Sequence, residues 1–145
     1  VAKGIPVKPG LWPLLDWLDT ANLPKAVGTS SSEHEAQISL KSTGLWSRFQ
    51  TIVTVDHAGA GKPAPDIFLT AAKALAIAPA KCLVLEDSNA GVQAAVAAGM
   101  TVIMVPDLQT PTAYAQHHAL KIVSSLHDVL DHLQQAWQPD AGNAF

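Results

Sequence analysis

Cysteine occurs once, at Cys82, so no disulfide can close within the chain, and a reducing cytoplasm is the expected setting. Cys82 opens an apolar run, which suits packing better than nucleophilic chemistry. Charge is scarce as well. Only 14% of residues are charged, the net charge is −3 and the isoelectric point is near 6.0, so the chain carries no basic footprint for nucleic acid or for an anionic membrane. No apolar run approaches a membrane span, and Val1-Ala2-Lys3-Gly4 has no signal-peptide pattern. The initiator Met is missing too, as in a fragment or a processed chain. The six histidines lack zinc-type spacing: His117 and His118 are adjacent, His127 and His132 are five apart, and all six read as surface residues. What the sequence has in quantity is apolar residues, 48% of 145, a globular composition long enough for one domain with a real core.

The stretch from Lys81 to Gly91 organises the rest. Leu83-Val84-Leu85 is too short and too sharply bounded for a helix, and a run apolar on both faces suits a parallel strand covered by helices. It stops at Glu86-Asp87, followed by Ser88. Open α/β sheets bind ligands at the carboxyl ends of their strands. Two carboxylates there suit Mg²⁺, which usually takes one or two carboxylates together with substrate phosphate and water. On these residues alone the competing reading is a solvated turn in which Asp87 or Ser88 caps the next helix.

The remaining elements follow from periodicity and punctuation. Pro6 and Pro9 make residues 1–9 an extended lead-in. Leu11, Leu14, Leu15 and Leu18 recur at helical spacing. Residues 25–28 form a short strand ending at Thr29 and three serines, and Ser32 with Glu35 is a capping box for a helix to about Lys41. Such a helix start also favours anions. Thr51 to Val55, β-branched and alternating, predicts a strand, and residues 56–61 a loop. Pro63 and Pro65 fix the backbone around Lys62, and Pro65 sits in the first turn of a helix with Ile67, Phe68, Ala71, Ala72 and Leu75 on one face. A helix from about Ala90 to Ala98 and a strand over 101–105 follow. Residues 112–119 predict a short helix and 121–123 an edge strand. Ser125 with Asp128 predicts a capping box for a last helix through Leu126, Val129, Leu130 and Leu133. Residues 1–138 are thus one domain, and 139–145 a tail.

Three motifs taken in order resemble a known family. Val27-Gly28-Thr29-Ser30-Ser31, Gly61-Lys62-Pro63-Ala64-Pro65-Asp66 and Leu85-Glu86-Asp87-Ser88 look like motifs II, III and IV of the haloacid dehalogenase phosphohydrolases, in the subgroup similar to β-phosphoglucomutase and the small sugar-phosphate phosphatases. The likeness runs from about Val7 to about Asp107 and is densest over 61–68 and 85–100. Motif I, Asp-x-Asp-x-Thr after a first strand, occurs nowhere in the sequence, and neither does the helical cap that follows it. Asp16-Trp17-Leu18-Asp19-Thr20 has one residue too many between its aspartates and lies within a helix. The resemblance therefore implies an α/β Rossmann-like core, its mostly parallel sheet covered by helices, without its first, central strand and without the cap.

The resemblance also implies a site. Thr29 and Ser30 would bind phosphate, Lys62 would bind phosphate and orient the nucleophile, Asp87 would ligate Mg²⁺ with Glu86 as second ligand or behind it, and Ser88 would orient Asp87 without touching the metal. In the complete enzyme a motif I aspartate takes the phosphoryl group from a small phosphorylated metabolite, a sugar phosphate by the subgroup, through an aspartyl-phosphate. Without that nucleophile the chain by itself is expected to have little or no turnover. A phosphohexose mutase and a non-catalytic phosphate-binding or oligomerising remnant are the alternative readings. With the central strand missing, its two neighbours close the gap, admit another segment, or leave apolar edges open to a second copy of the chain.

Overall fold

The computed structural model describes residues 8–137. The lead-in as far as Val7 and the tail from 138 lie outside the described residues. Besides two short 3-10 turns, the described residues form α1 (Leu11–Thr20), β1 (Ala26–Gly28), α2 (Glu33–Ser42), β2 (Thr51–Val53), α3 (Val55–Ala58), α4 (Asp66–Leu75), β3 (Leu83–Glu86), α5 (Asn89–Ala97), β4 (Thr101–Met104), α6 (Ala113–His118), β5 (Lys121–Ile122) and α7 (Leu126–Ala136). Every strand pairing is parallel.

Strands β3 and β4 show why the chain needs helices on both sides. Val84 on β3, with Val102 and Met104 on β4, joins one core with α4 and α5, whereas Leu83, Leu85, Ile103 and Val105 face a second core with α1 and α7. Successive strand residues point to opposite faces, so a strand apolar at every position is stable only between two helical layers. Ile67, Val92, Ile103 and Val129 have no exposed surface. Each contributes roughly 1.5–3 kcal/mol by leaving water. The capping box predicted for α2 is present: Glu35 N donates to Ser32 Oγ at 3.2 Å and Ser32 N to Glu35 Oε1 at 3.1 Å.

The sheet is interrupted where the sequence predicts a missing strand. β1 pairs only with β2, and β3 belongs to a separate sheet in the order β3-β4-β5. Among the described residues no strand lies between β1 and β3, and the two strands stay apart. A cleft of about 890 Å³ runs there, lined by Leu11, Leu14 and Leu15 of α1 and by Phe68, Ala71 and Leu75 of α4.

Several local expectations are corrected. The strand read over 51–55 ends at Val53, and 55–58 is a turn of helix instead of loop. Thr54 and His57 supply its start, with Thr54 N and Oγ1 at 3.5 and 3.3 Å from His57 Nδ1. Pro65 stands at the N-cap of α4 and not inside its first turn. Ser125 caps α7 without a side-chain bond, and it is Ser124 Oγ that donates to Asp128 Oδ2, at 3.0 Å. The amino end of α2 is not open to an anion at its first amide: Glu33 N donates to the Asp56 carboxylate at 2.8 Å.

Candidate active site

The carboxyl ends of β1 and β3 bring the predicted residues together. Glu86 is the last residue of β3, and its side chain turns inward, 8% exposed. Oε1 accepts from Asp87 N, Ser88 N and Ser88 Oγ at 3.2, 3.3 and 3.0 Å, and Oε2 accepts from Lys62 Nζ at 2.7 Å. A carboxylate this buried is stable only when its oxygens are bonded. Gly91 makes the position available: a Cβ there would stand 1.9 Å from the Glu86 carboxyl carbon.

Lys62 crosses the mouth of the cleft. Its ammonium also donates to Gly28 O at 3.1 Å and lies 4.9 Å from the centre of the Phe68 ring, a cation–π geometry. One side chain thereby joins the end of β1 to the end of β3, which share no backbone bond. Gly28 permits the approach of α4 on its other side, since a Cβ would stand 2.8 Å from Ile67 Cγ2.

Thr29 and Ser30 form the turn that leaves β1. Thr29 Oγ1 accepts from Ser31 N at 3.0 Å, and Ser30 Oγ accepts from Lys62 N at 3.1 Å, so the hydroxyl turn and the lysine loop are bonded directly. Asp87 is 47% exposed at its side chain, and Lys8 Nζ lies 3.7 Å from its Oδ2 and 2.9 Å from Asp107 Oδ2. Ser88 starts α5 by accepting from Gly91 N at 3.0 Å, but its hydroxyl donates to Glu86 and not to Asp87 as expected. Lys8, Asp107, Gly28, Gly91 and Phe68 have no assigned part in the site on the sequence alone. Only Gly28 carried a local signal, a glycine at a strand end where backbones or helices approach closely.

Among the described residues no group of three or more His, Cys, Asp or Glu side chains is placed to hold a metal. Both Glu86 oxygens have protein partners, whereas Asp87 presents a half-exposed carboxylate. A single protein carboxylate is within the usual donor set of Mg²⁺, the remainder being phosphate and water. Asp87 therefore fits the part of one ligand, not of a whole site.

A parallel, helix-covered sheet with an ammonium, a hydroxyl turn and an acidic strand end gathered at its carboxyl edge is an α/β domain with a ligand site in the usual place. Residues 2–105 match the haloacid dehalogenase-like hydrolase family, and the chain belongs to it. The fructose-1-phosphate phosphatase of Escherichia coli is 44% identical over 82 residues, which are 57% of this chain and 44% of that protein. A β-phosphoglucomutase of Bacillus subtilis is 39% identical over 97 residues, 67% of this chain and 42% of that one. The crystal structure of a family hydrolase from Deinococcus radiodurans with bound phosphate and sodium superposes with a TM-score of 0.79 at 30% identity, covering 88% of this chain and 58% of that one. The chain thus spans less than half the length of these two curated relatives.

Proposed function

We propose that this chain is the phosphate- and metal-binding core of a Mg²⁺-dependent phosphatase acting on a small phosphorylated metabolite, a sugar phosphate by its similarity to the fructose-1-phosphate phosphatase. The observation that carries the reading is the junction at Lys62, whose ammonium meets Gly28 O and Glu86 Oε2 beside the Thr29–Ser30 turn and the exposed Asp87. A phosphate dianion repels an anionic nucleophile, so donors and cations must neutralise it. In this proposal Lys62, Thr29 and Ser30 hold phosphate, Asp87 is the direct Mg²⁺ ligand, Glu86 fixes Lys62 and Ser88 fixes Glu86. The metal, when bound, neutralises charge on the phosphoryl oxygens. The covalent step requires an aspartate that motifs II to IV do not contain, so the 145-residue polypeptide alone turns over little.

Titration calorimetry with Mg²⁺ and inorganic phosphate tests this reading. Binding by the wild type that is lost in Lys62→Ala, with the Mg²⁺ dependence lost in Asp87→Asn, is the expected outcome. Absence of phosphate binding by the wild type would overturn it. Phosphate release from a sugar phosphate that needs Mg²⁺ and disappears in Asp87→Asn would overturn the expectation of inactivity. The unpaired edges of β1 and β3 favour self-association, because each presents a row of backbone donors and acceptors. Sedimentation that gives a sharp monomer at all concentrations refutes that part.

A further inference from the structure

Asp56 lies outside the three motifs and is exposed, yet it makes the shortest bond between the two loops of the site. Residues 29–33 and 54–62 are laced by three hydrogen bonds from backbone amides distant in sequence. Val55 N donates to Ser31 O at a long 3.5 Å, Lys62 N donates to Ser30 Oγ at 3.1 Å, and Glu33 N donates to Asp56 Oδ2 at 2.8 Å. Only the last has a charged acceptor, and charge-assisted hydrogen bonds are the shorter and stronger kind. It also joins two helix starts: Glu33 is the first residue of α2, and Asp56 lies in α3, the turn of helix that leads to Lys62. His57 Nε2 reaches Glu33 Oε1 at 3.4 Å beside it, so α3 grips α2 by side chain and by backbone.

We propose that Asp56 is a positioning residue that sets the spacing between the hydroxyl turn, Thr29 and Ser30, and Lys62; the inference rests on the phosphate-binding reading of those three residues. Asp56 touches no proposed ligand atom. A binding group held by a bonded partner loses less freedom when it engages its ligand, so loosening the partner weakens binding without removing any contact to phosphate. The carboxylate also occupies the first amide of α2, which directs an incoming anion to the turn and the lysine and away from the helix end.

The test uses the wild type with Asp56→Ala, Asp56→Asn and Asp56→Glu. Asparagine keeps an acceptor at the same distance, and glutamate carries the charge one methylene too far. Amide exchange followed by NMR reads Glu33 N–H and Lys62 N–H separately, and calorimetry reads inorganic phosphate. The expected result is exchange about tenfold faster at both amides in Asp56→Ala, by the usual strength of one charged hydrogen bond. Asp56→Glu shows the same direction, and Asp56→Asn exchanges close to wild type. Phosphate affinity falls about tenfold in Asp56→Ala and recovers in Asp56→Asn. If Asp56→Ala fails to fold, Asp56→Glu against Asp56→Asn decides in its place. Acceleration at Glu33 with Lys62 unchanged makes Asp56 a local helix cap and overturns the inference. So does a phosphate affinity unchanged in Asp56→Ala while Lys62→Ala abolishes binding. A wild type that binds no phosphate sinks the functional reading, and the Lys62 amide alone then decides whether Asp56 links the two loops.

Discussion

Gly91→Ala separates two physical accounts by the sign of its effect. Gly91 is the third residue of α5, and in a helix alanine is favoured over glycine by about 1 kcal/mol, so propensity alone predicts stabilisation. The site predicts the reverse. An alanine Cβ would lie 1.9, 2.1 and 2.4 Å from Cδ, Cγ and Oε2 of Glu86. The carboxylate end can move, so the clash itself is cheap. What moving it breaks is not, because that carboxylate holds Lys62 and three donors of the β3–α5 turn. Separating a buried ion pair costs about 3–5 kcal/mol, and the partial exposure of Lys62, 13% at its side chain, reduces this to about 2–4 kcal/mol. With a urea slope near 2 kcal/mol/M, the unfolding midpoint falls by about 1–2 M. Denaturation of the two proteins side by side reads this directly. A midpoint that rises, or falls by less than about 0.3 M, refutes the claim that Glu86 is held at Gly91.

Other perturbations address separate layers of the fold. Ala76 ends α4 in the left-handed region at φ 58°, and being exposed it touches little, so Ala76→Gly raises stability by about 0.5–1 kcal/mol in the same assay. Ser32→Ala removes the α2 capping box and costs about 1 kcal/mol. Bonds from Lys25 first and Arg48 second hold the Asp19 carboxyl below its ordinary 3.8, and the Ser32 backbone bond holds Glu35 below 4.5. Because both folded values are depressed, the stability they contribute is fully present above those ordinary values and is lost as pH falls through the lower ones. Acid unfolding at low salt shows that loss, and Asp19→Asn blunts it.

How far the sequence reveals the fold depends on the range of the interaction. β3, β4 and α5 are legible because their signals are local: apolar runs, a serine cap and a glycine after the helix. The missing central strand is legible for a different reason, since an absent motif stands out against those present, but whether its neighbours close up, admit another segment or stay apart is not. The turn 55–58 was hidden because β-branched Thr54 and Val55 continue the pattern of β2, and the Thr54–His57 bracket that wins over it is not a common capping pair. Ser125-x-x-Asp128 carries a valid signature, but the Asp128 carboxylate is bonded by Ser124. Lys8 and Asp107 meet across 99 residues, and nothing in either neighbourhood encodes the meeting. Thr29, Ser30, Lys62, Glu86 and Asp87 were all identifiable by motif. The inward turn of Glu86 was not, because it follows from the space beside Gly91 and from the buried ammonium opposite.

The ammonium of Lys62 has three hydrogens to give. Two are committed, to Gly28 O and Glu86 Oε2, one on each half of the divided sheet. Among the described residues no third acceptor is seen, and in the proposed site that hydrogen goes to phosphate. An anion that takes it completes the coordination of the nitrogen without dislodging either strand, so capture and cohesion do not compete for the same bond. Phosphate bound as proposed acts as a third strut at a joint that already bears two, and the melting temperature is then expected to rise with phosphate concentration through the ordinary mass-action link between binding and folding.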